Sequence, residues 1–306
     1  MKIGVDLSMW NSSSNFHIAK QKGLEFAILR AGSGVTTVDP SFEKNYRGCK
    51  DANVNVGAYW YLYAVNLDGA RREAKLFLER LKGKSFEYPV YLDLEDRCQN
   101  NLSRKILTEI ALEFMITVES SGYYVGLYSM GSWFRDKFLQ NHSYRGRTLA
   151  DFDTWVAHWT YSIQRKSSFV KSSTGLWQYT DCGAFPGIGR AGKNLDLNLS
   201  FKDYPSIIGR SGLNSTKKIQ VVKNKDIILV SKVESVDVSN SLAYLRKSLS
   251  QTGYVVETVS GYFDYEKYKD FKILGLGGIR QNHSYYVDEF YGGKDEDVLE
   301  QLKKKY

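Results

Sequence analysis

Residues 54–61 read Val-Asn-Val-Gly-Ala-Tyr-Trp-Tyr, residues 67–81 read Leu-Asp-Gly-Ala-Arg-Arg-Glu-Ala-Lys-Leu-Phe-Leu-Glu-Arg-Leu, and residues 88–95 read Tyr-Pro-Val-Tyr-Leu-Asp-Leu-Glu. The outer two are short apolar runs of strand length. The stretch between them places apolar residues at i, i+3, i+4 and i+7, which predicts a helix over 67–81. Strand, helix and strand in that order make a parallel crossover. The pattern continues in both directions. Apolar runs at 3–7, 26–30, 124–128, 154–159, 175–179 and 194–197 bring the strands to eight, and a second helical stretch at 103–119 has Ser103 as its N-cap. Eight strands with helical crossovers close into a barrel. The helical stretches thin out after Trp159, so the predicted fold is α/β, an irregular (β/α)8-type barrel incomplete in its C-terminal part.

Composition divides the chain of 306 residues. All six Trp, all four Pro and all four Met precede residue 206. The polar stretch 209–216, Gly-Arg-Ser-Gly-Leu-Asn-Ser-Thr, has turn and linker chemistry. The expected organisation is a barrel over 1–208, a linker over 209–217 and a small domain over 218–306. Net charge is +8, from 42 basic against 34 acidic residues; residues 217–306 carry 15 basic and 13 acidic, so most of the excess lies on the barrel. Such an excess suits a polyanionic partner without identifying one. The N-terminal Met1-Lys2-Ile3-Gly4-Val5-Asp6 has no apolar secretory core, and no run reaches the ~18 apolar residues of a membrane span. The expectation is a protein that stays in the cytoplasm until the membrane is permeabilised, with no membrane insertion. Cys49, Cys98 and Cys182 are widely spaced and read as buried free thiols; His17, His142, His158 and His283 form no ligand cluster. No metal and no cofactor are predicted.

In a parallel barrel the chemistry collects at the C-terminal ends of the strands. Four carboxylates stand there: Asp6 ends the first run, Asp93 and Glu95 end the run 88–92, and Asp196 closes the last. Asp93 and Glu95 share one strand face about 6.5–7 Å apart. Carboxylates that close cannot ionise independently, so one retains its proton beside an ionised partner. Cleavage of a glycosidic bond needs that division. Glu95 is the candidate general acid; Asp93 would stabilise positive charge at the anomeric carbon or orient a helper group. Trp10, Tyr59, Trp60, Tyr61, Tyr63, Tyr128, Trp133, Trp155, Trp159, Trp177 and Tyr179 crowd the proposed mouth, and aromatic planes stack on the apolar faces of sugar rings. Alternation puts Tyr59, Tyr61 and Tyr63 on one face and Trp60 on the other, so half of these aromatics belong to the core. Arg30 is either an ion-pair partner to one of the acids or a substrate contact.

Seven ordered motifs carry a resemblance: Val5-Asp6-Leu7-Ser8-Met9-Trp10, the run 26–34 through Arg30-Ala31-Gly32, Gly57-Ala58-Tyr59-Trp60-Tyr61, Tyr91-Leu92-Asp93-Leu94-Glu95, Trp155-Val156-Ala157-His158-Trp159, Leu176-Trp177-Gln178-Tyr179 and Leu195-Asp196-Leu197-Asn198. In this order they resemble glycoside hydrolase family 25 over residues 1–205. The resemblance implies a muramidase that cuts the β-1,4 bond between N-acetylmuramic acid and N-acetylglucosamine of bacterial peptidoglycan. It implies Glu95 as the catalytic acid, Asp93 as its partner, and Asp6 and Asp196 as flanking carboxylates. Help from the substrate's acetamido group and direct attack by water both remain open. The substrate-binding set expected with them is Arg30, Tyr59, Tyr61, Tyr128, Trp159 and Gln178. The motif Tyr59-Trp60-Tyr61 departs from the His that many members carry there.

Beyond residue 217, runs at 226–231, 254–259 and 271–276 read as strands and 239–250 and 295–304 as helices, a small α/β layered domain. The glycines near 275–278 lack the phosphate-loop pattern. The stretch 277–285 with 292–297 resembles the C-terminal modules of clostridial phage endolysins, related to cell-wall-binding type 2 repeats, although Gly-Lys-Asp-Glu-Asp replaces the usual repeat sequence. That implies wall polymers as a partner and leaves self-association open. Two other functions compete. A chitinase-like hydrolase would want acids at positions 88 and 91, which are Tyr88 and Tyr91. A non-catalytic carbohydrate-binding protein would use the acids only to hold sugar. Nucleic acid is not an expected partner, because basic residues and aromatics do not interleave.

Overall fold

The computed structural model describes residues 1–11, 14–189 and 194–215, the segments 227–231, 256–260, 272–276 and 289–291, and residues 300, 301, 303 and 304. All eight expected runs of the first part form strands. In chain order these are β1 (Lys2–Leu7), β2 (Phe26–Ser33), a two-residue β3 (Thr37–Val38) folded back on β2, then β4 (Asn55–Tyr61), β5 (Val90–Asp93), β6 (Val125–Met130), β7 (Asp153–Ala157), β8 (Leu176–Gly183) and β9 (Leu195–Ser200). From β1 through β2, β4, β5, β6 and β7 to β8 the neighbours are parallel. β9 runs the other way and pairs antiparallel with both β8 and β1, which closes the ring.

The reversal corrects the expectation of a parallel eighth strand. Among the described residues no helix lies between β8 and β9, and without a crossover the chain returns beside β8 in the opposite direction. The helices are α1 (Phe16–Gln21), α2 (Phe42–Asp51), α3 (Leu67–Leu81), α4 (Arg104–Glu119), α5 (Gly131–Asp136) and, after β9, α6 (Tyr204–Ser211). α3 starts where the Asn66 side chain accepts from Gly69 N, and α4 where Ser103 accepts from Ile106 N. α3 turns Ala70, Ala74, Phe77 and Leu81 inward; Phe77 meets Trp60 of β4 at 5.7 Å and Phe114 of α4 at 6.0 Å. Trp60 therefore belongs to the shell between sheet and helices.

The barrel interior is aromatic. Trp155 is ringed by Tyr59, Tyr91 and Tyr128, with centroids 6.1, 5.1 and 4.4 Å away. Tyr91 leaves no room on β6 for anything but Gly126, where a Cβ would lie 2.4 Å from the ring. Trp155 and Trp177, counted at the mouth from sequence, are buried packing residues.

The chain divides into two compact units, Met1–Lys217 and Lys218–Tyr306. The expected linker does not begin at 209. α6 runs to Ser211, and Asn214 is fully buried, donating from Nδ2 to Phe86 O and Tyr88 O and accepting from Tyr124 N. Its polar side chain bonds three backbone groups of the barrel from a stretch whose composition reads as turn. In the second unit, β10 (Ile227–Ser231), β11 (Val256–Ser260), β12 (Lys272–Leu276) and β13 (Glu289–Tyr291) form a parallel sheet in the order β11-β10-β12-β13. Of the expected helices, 239–250 lies outside the described residues; residues 300, 301, 303 and 304 of the second are helical. The glycines at 277 and 278 and the wall-repeat stretches at 277–285 and 292–297 fall almost wholly outside the described residues as well. Cys49 is buried, as expected, but Cys98 and Cys182 are exposed. Cys98 sits in a surface 3-10 turn, and Cys182 beyond the irregular pairing that loosens the end of β8. Among the described residues no helix is long and apolar enough to cross a membrane.

Candidate active site

Three strand ends bring the acids together. Asp6 is the next-to-last residue of β1 and stands directly opposite Asp196 across the antiparallel seam. Asp196 does not close its strand, as the sequence suggested. It is the second residue of β9, and because β9 is reversed its beginning lies at the rim where the other strands end. Asp93 is the last residue of β5, flanked by Tyr61 on β4 and Tyr128 on β6. Glu95 follows two residues later, past the strand end and less buried than Asp93, which is 5 % exposed.

Burial dominates their ionisation. It pushes Glu95 up to about 7, with the charges of Asp6 and then Asp96 adding to the rise. Asp93 is driven well above the carboxylate range by burial, then by Glu95 and Asp6, against which only Arg30 pulls down. Asp93 Oδ1 is buried and takes no hydrogen bond from the described residues. Asp196 is raised to about 9 by burial, then by Asp6. Burial raises Asp6 too, but it is opposed by hydrogen bonds from Asn198 and Gln178 and from Asp196. Asp6 is thus the acid best provided with donors to the ionised form, whereas burial and neighbouring charge favour the protonated form of both Asp93 and Asp196.

The donors to Asp6 form a built network. Asn198 Nδ2 and Gln178 Nε2 both donate to Asp6 Oδ2, at 2.7 and 3.0 Å. Asn198 Oδ1 accepts from Trp155 Nε1 at 2.8 Å. Gln178 Oε1 accepts from Tyr128 Oη and Trp159 Nε1, each at 3.0 Å. Gln178, expected to touch substrate, has both ends of its amide engaged by protein; its place is behind Asp6, as is that of the Tyr128 hydroxyl. Trp159 is only half-buried.

Of the two roles open to Arg30, the structure shows an ion pair, made with a different acid from the four at the strand ends. Arg30 Nε donates to Asp39 Oδ2 at 2.7 Å, and Asp39 further accepts from Met9 N and from Ser41. The ion-pair partner is therefore Asp39, a residue that the sequence did not single out, while the guanidinium still acts on Asp93 through space. Tyr59 is buried among Asp6, Asp93 and Arg30. Tyr61 is half-buried and donates to Asp96 Oδ2 at 3.0 Å. Tyr59 and Tyr61 share the site's face as alternation requires.

Two further residues were missed. Asn198 lies two positions after Asp196 on the same strand face, a spacing that could have identified it. Asp181 on β8 adds negative charge against Asp196, and its position depends on irregular pairing that periodicity does not reveal. Among the described residues no group of three His, Cys, Asp or Glu side chains is placed to hold a metal ion.

The family model described as "Glycosyl hydrolases family 25" matches residues 5–188. The "Autolytic lysozyme" of Clostridium acetobutylicum is 24% identical over 185 residues, covering 60% of this chain and 52% of that protein. "Lysozyme M1" of Streptomyces globisporus is 27% identical over 193 residues, covering 60% and 64%. The chain thus spans about half to two thirds of the length of these curated relatives. Among solved structures, the CTP1L endolysin superposes with a TM-score of 0.59 at 20% identity, covering 99% of this chain and 100% of that one.

Proposed function

The chain belongs to glycosyl hydrolases family 25 and is a glycoside hydrolase, and from that premise we propose an N-acetylmuramidase that cuts the β-1,4 bond between N-acetylmuramic acid and N-acetylglucosamine of bacterial peptidoglycan. The observation that carries the reading is Glu95, a carboxyl raised to about 7 beside three more deeply committed acids. Below neutral pH it keeps its proton and gives it to the glycosidic oxygen as the C–O bond breaks, while water supplies the hydroxyl at the anomeric carbon, directly or after the acetamido group, and the proton that water loses restores the acid. Asp6, supplied with two amide donors, keeps negative charge near the positive charge that grows at the anomeric carbon. Asp93 faces the same charge from β5, and its unengaged Oδ1 is free to take a hydrogen bond from substrate, including from an acetamido N–H. Tyr59, Tyr61 and Trp159 supply the aromatic wall.

The same proposal extends to the whole chain as a phage-type endolysin of host-cell lysis. It acts on the wall once the membrane is permeabilised, with residues 218–306 as a wall-targeting and self-associating unit. The lysozyme relatives support the first part, and an endolysin structure of the same extent supports the second. Digestion of purified Gram-positive wall tests it. New reducing ends without new amino termini, lost in Glu95→Gln, are expected; new amino termini, or release unchanged in Glu95→Gln, would sink it.

A further inference from the structure

Tyr63 follows Tyr59 and Tyr61 at two-residue intervals on one face, and the three differ in exposure. Tyr59 is buried beside the acids, Tyr61 is half-buried, and Tyr63 is 48 % exposed. The chain stays paired past the end of β4, because Leu62 N donates to Asp93 O at 2.9 Å. At about 3.3 Å per residue, Tyr63 lies about 13 Å from Tyr59 along the strand. The Tyr61 and Tyr63 rings touch, with centroids 5.2 Å apart and planes at 58°.

An exposed ring on a surface loop ordinarily rests on mobile backbone. Here the backbone is clamped from below by buried polar groups. Gln99, with no exposed surface, donates from Nε2 to both Leu62 O and Ala64 O, at 3.0 and 3.1 Å. Glu73 of α3, 2 % exposed, accepts from Tyr63 N at 3.3 Å and from Trp60 Nε1 at 3.0 Å. Cys98 Sγ donates to Tyr63 O at 3.4 Å. The ring itself rests on Gly34, which has φ +56° and where a Cβ would lie 2.9 Å from Tyr63. Burying a carboxylate and an amide is costly unless they are fully used, and much of their hydrogen bonding is spent on fixing one three-residue loop. The outward-facing aromatic of that loop is Tyr63.

The geometry points to Tyr63 as a pre-set stacking platform for a sugar ring of the glycan strand beyond the bond being cut, with Glu73 and Gln99 as positioning residues beneath it. This rests on the glycan-cleaving reading above and deepens it. Exposure rises outward from Tyr59 through Tyr61 to Tyr63, so the platform serves a ring on the solvent side of the one held beside Tyr59 and Asp93 and governs the preference for long strands over short ones.

The test compares kcat/KM on a short glycan fragment spanning only the cut bond with that on a long glycan strand, for wild type, Tyr63→Ala and Tyr63→Phe. Direct binding of both glycans to Glu95→Gln protein, with and without Tyr63→Ala, serves as a readout independent of turnover. Tyr63→Ala is expected to reduce the long-over-short preference about five- to tenfold, chiefly through KM, and to weaken binding of the long strand by a similar factor; Tyr63→Phe keeps the platform and the preference. An unchanged preference in Tyr63→Ala, or an equal loss on both substrates, overturns the platform while leaving the muramidase reading intact. Failure of wild type to cleave either glycan, with no glycan bound by the Glu95→Gln protein, would overturn both.

Discussion

Asp6 and Asp196 stand opposite each other where the first strand of the barrel meets the last, and the Asn198 amide donates to Asp6 Oδ2 from the same strand that carries Asp196. One segment thus supplies both a proton-holding neighbour and a donor that favours the charged form of Asp6.

Removal of that donor in Asn198→Ala raises Asp6 further and thins its charge. Less charge on Asp6 lets Glu95 fall below about 7, since Asp6 follows burial among the causes of its rise. The expected outcome is an alkaline limb of kcat/KM moved to lower pH. Activity falls about tenfold or more, because a hydrogen bond to a charged group contributes about 1.5–3 kcal/mol. A limb that does not move would show that Asp6 does not act on Glu95.

Glu95 sets the upper pH limit. Its folded value lies above its ordinary 4.5, so wall cleavage holds below about 7 and declines as pH rises through it. Stability follows the same sign: the contribution of the protonated group is complete below 4.5 and is lost as pH rises through about 7. Glu95→Gln therefore abolishes cleavage, by about 10²–10⁴-fold. At pH 8 it raises the thermal midpoint, by about 2–4 °C for each kcal/mol relieved. A midpoint lowered at pH 8 would contradict the assignment of burial as the main cause.

The Arg30–Asp39 pair is nearly solvent-free, with side-chain exposures of 13% and 0%. Arg30→Met leaves Asp39 buried and unpaired and is expected to cost about 3–5 kcal/mol in urea unfolding. It also removes the cation that restrains Asp93. Joint replacement in Arg30→Met with Asp39→Asn recovers much of the stability without recovering activity. Equal stability of the single and double variants would refute the pairing.

Asn214 ties the segment after α6 to the barrel unit. Asn214→Ala removes three hydrogen bonds with buried backbone, at Phe86 O, Tyr88 O and Tyr124 N, and is expected to lower stability by about 1–3 kcal/mol. A fragment ending at Lys217 is expected to unfold cooperatively, and one ending at Ile208 to melt at markedly lower temperature by circular dichroism. Equal melting of the two would show that residues 209–217 are a linker after all.

Much of this was legible in the sequence because it follows from periodicity. Two-residue alternation placed Tyr59 and Tyr61 on the site's face, and helical spacing found α3 and the Ser103 cap. The four acids were visible as charges at the ends of apolar runs. The direction of β9 was not legible, since a strand reads alike both ways and only the missing helix before it hints at reversal. Nor were the partners of Arg30 and Gln178, which come from segments 9 and 172 residues away. The Gln178 pair is set by barrel closure and the Arg30 pair by the fold-back of β3 on β2, and local pattern carries information on neither.

That closure joins Lys2 to Ser200. The chain must emerge from synthesis almost to the end of β9 before β1 gains its second neighbour, and until then Asp6 sits on an open edge without Asn198, Gln178 or Asp196. The pocket is consequently the last part of the barrel to be assembled. Every nascent or prematurely terminated chain shorter than about two hundred residues is unarmed, and hydrolytic power arrives in one step with ring completion.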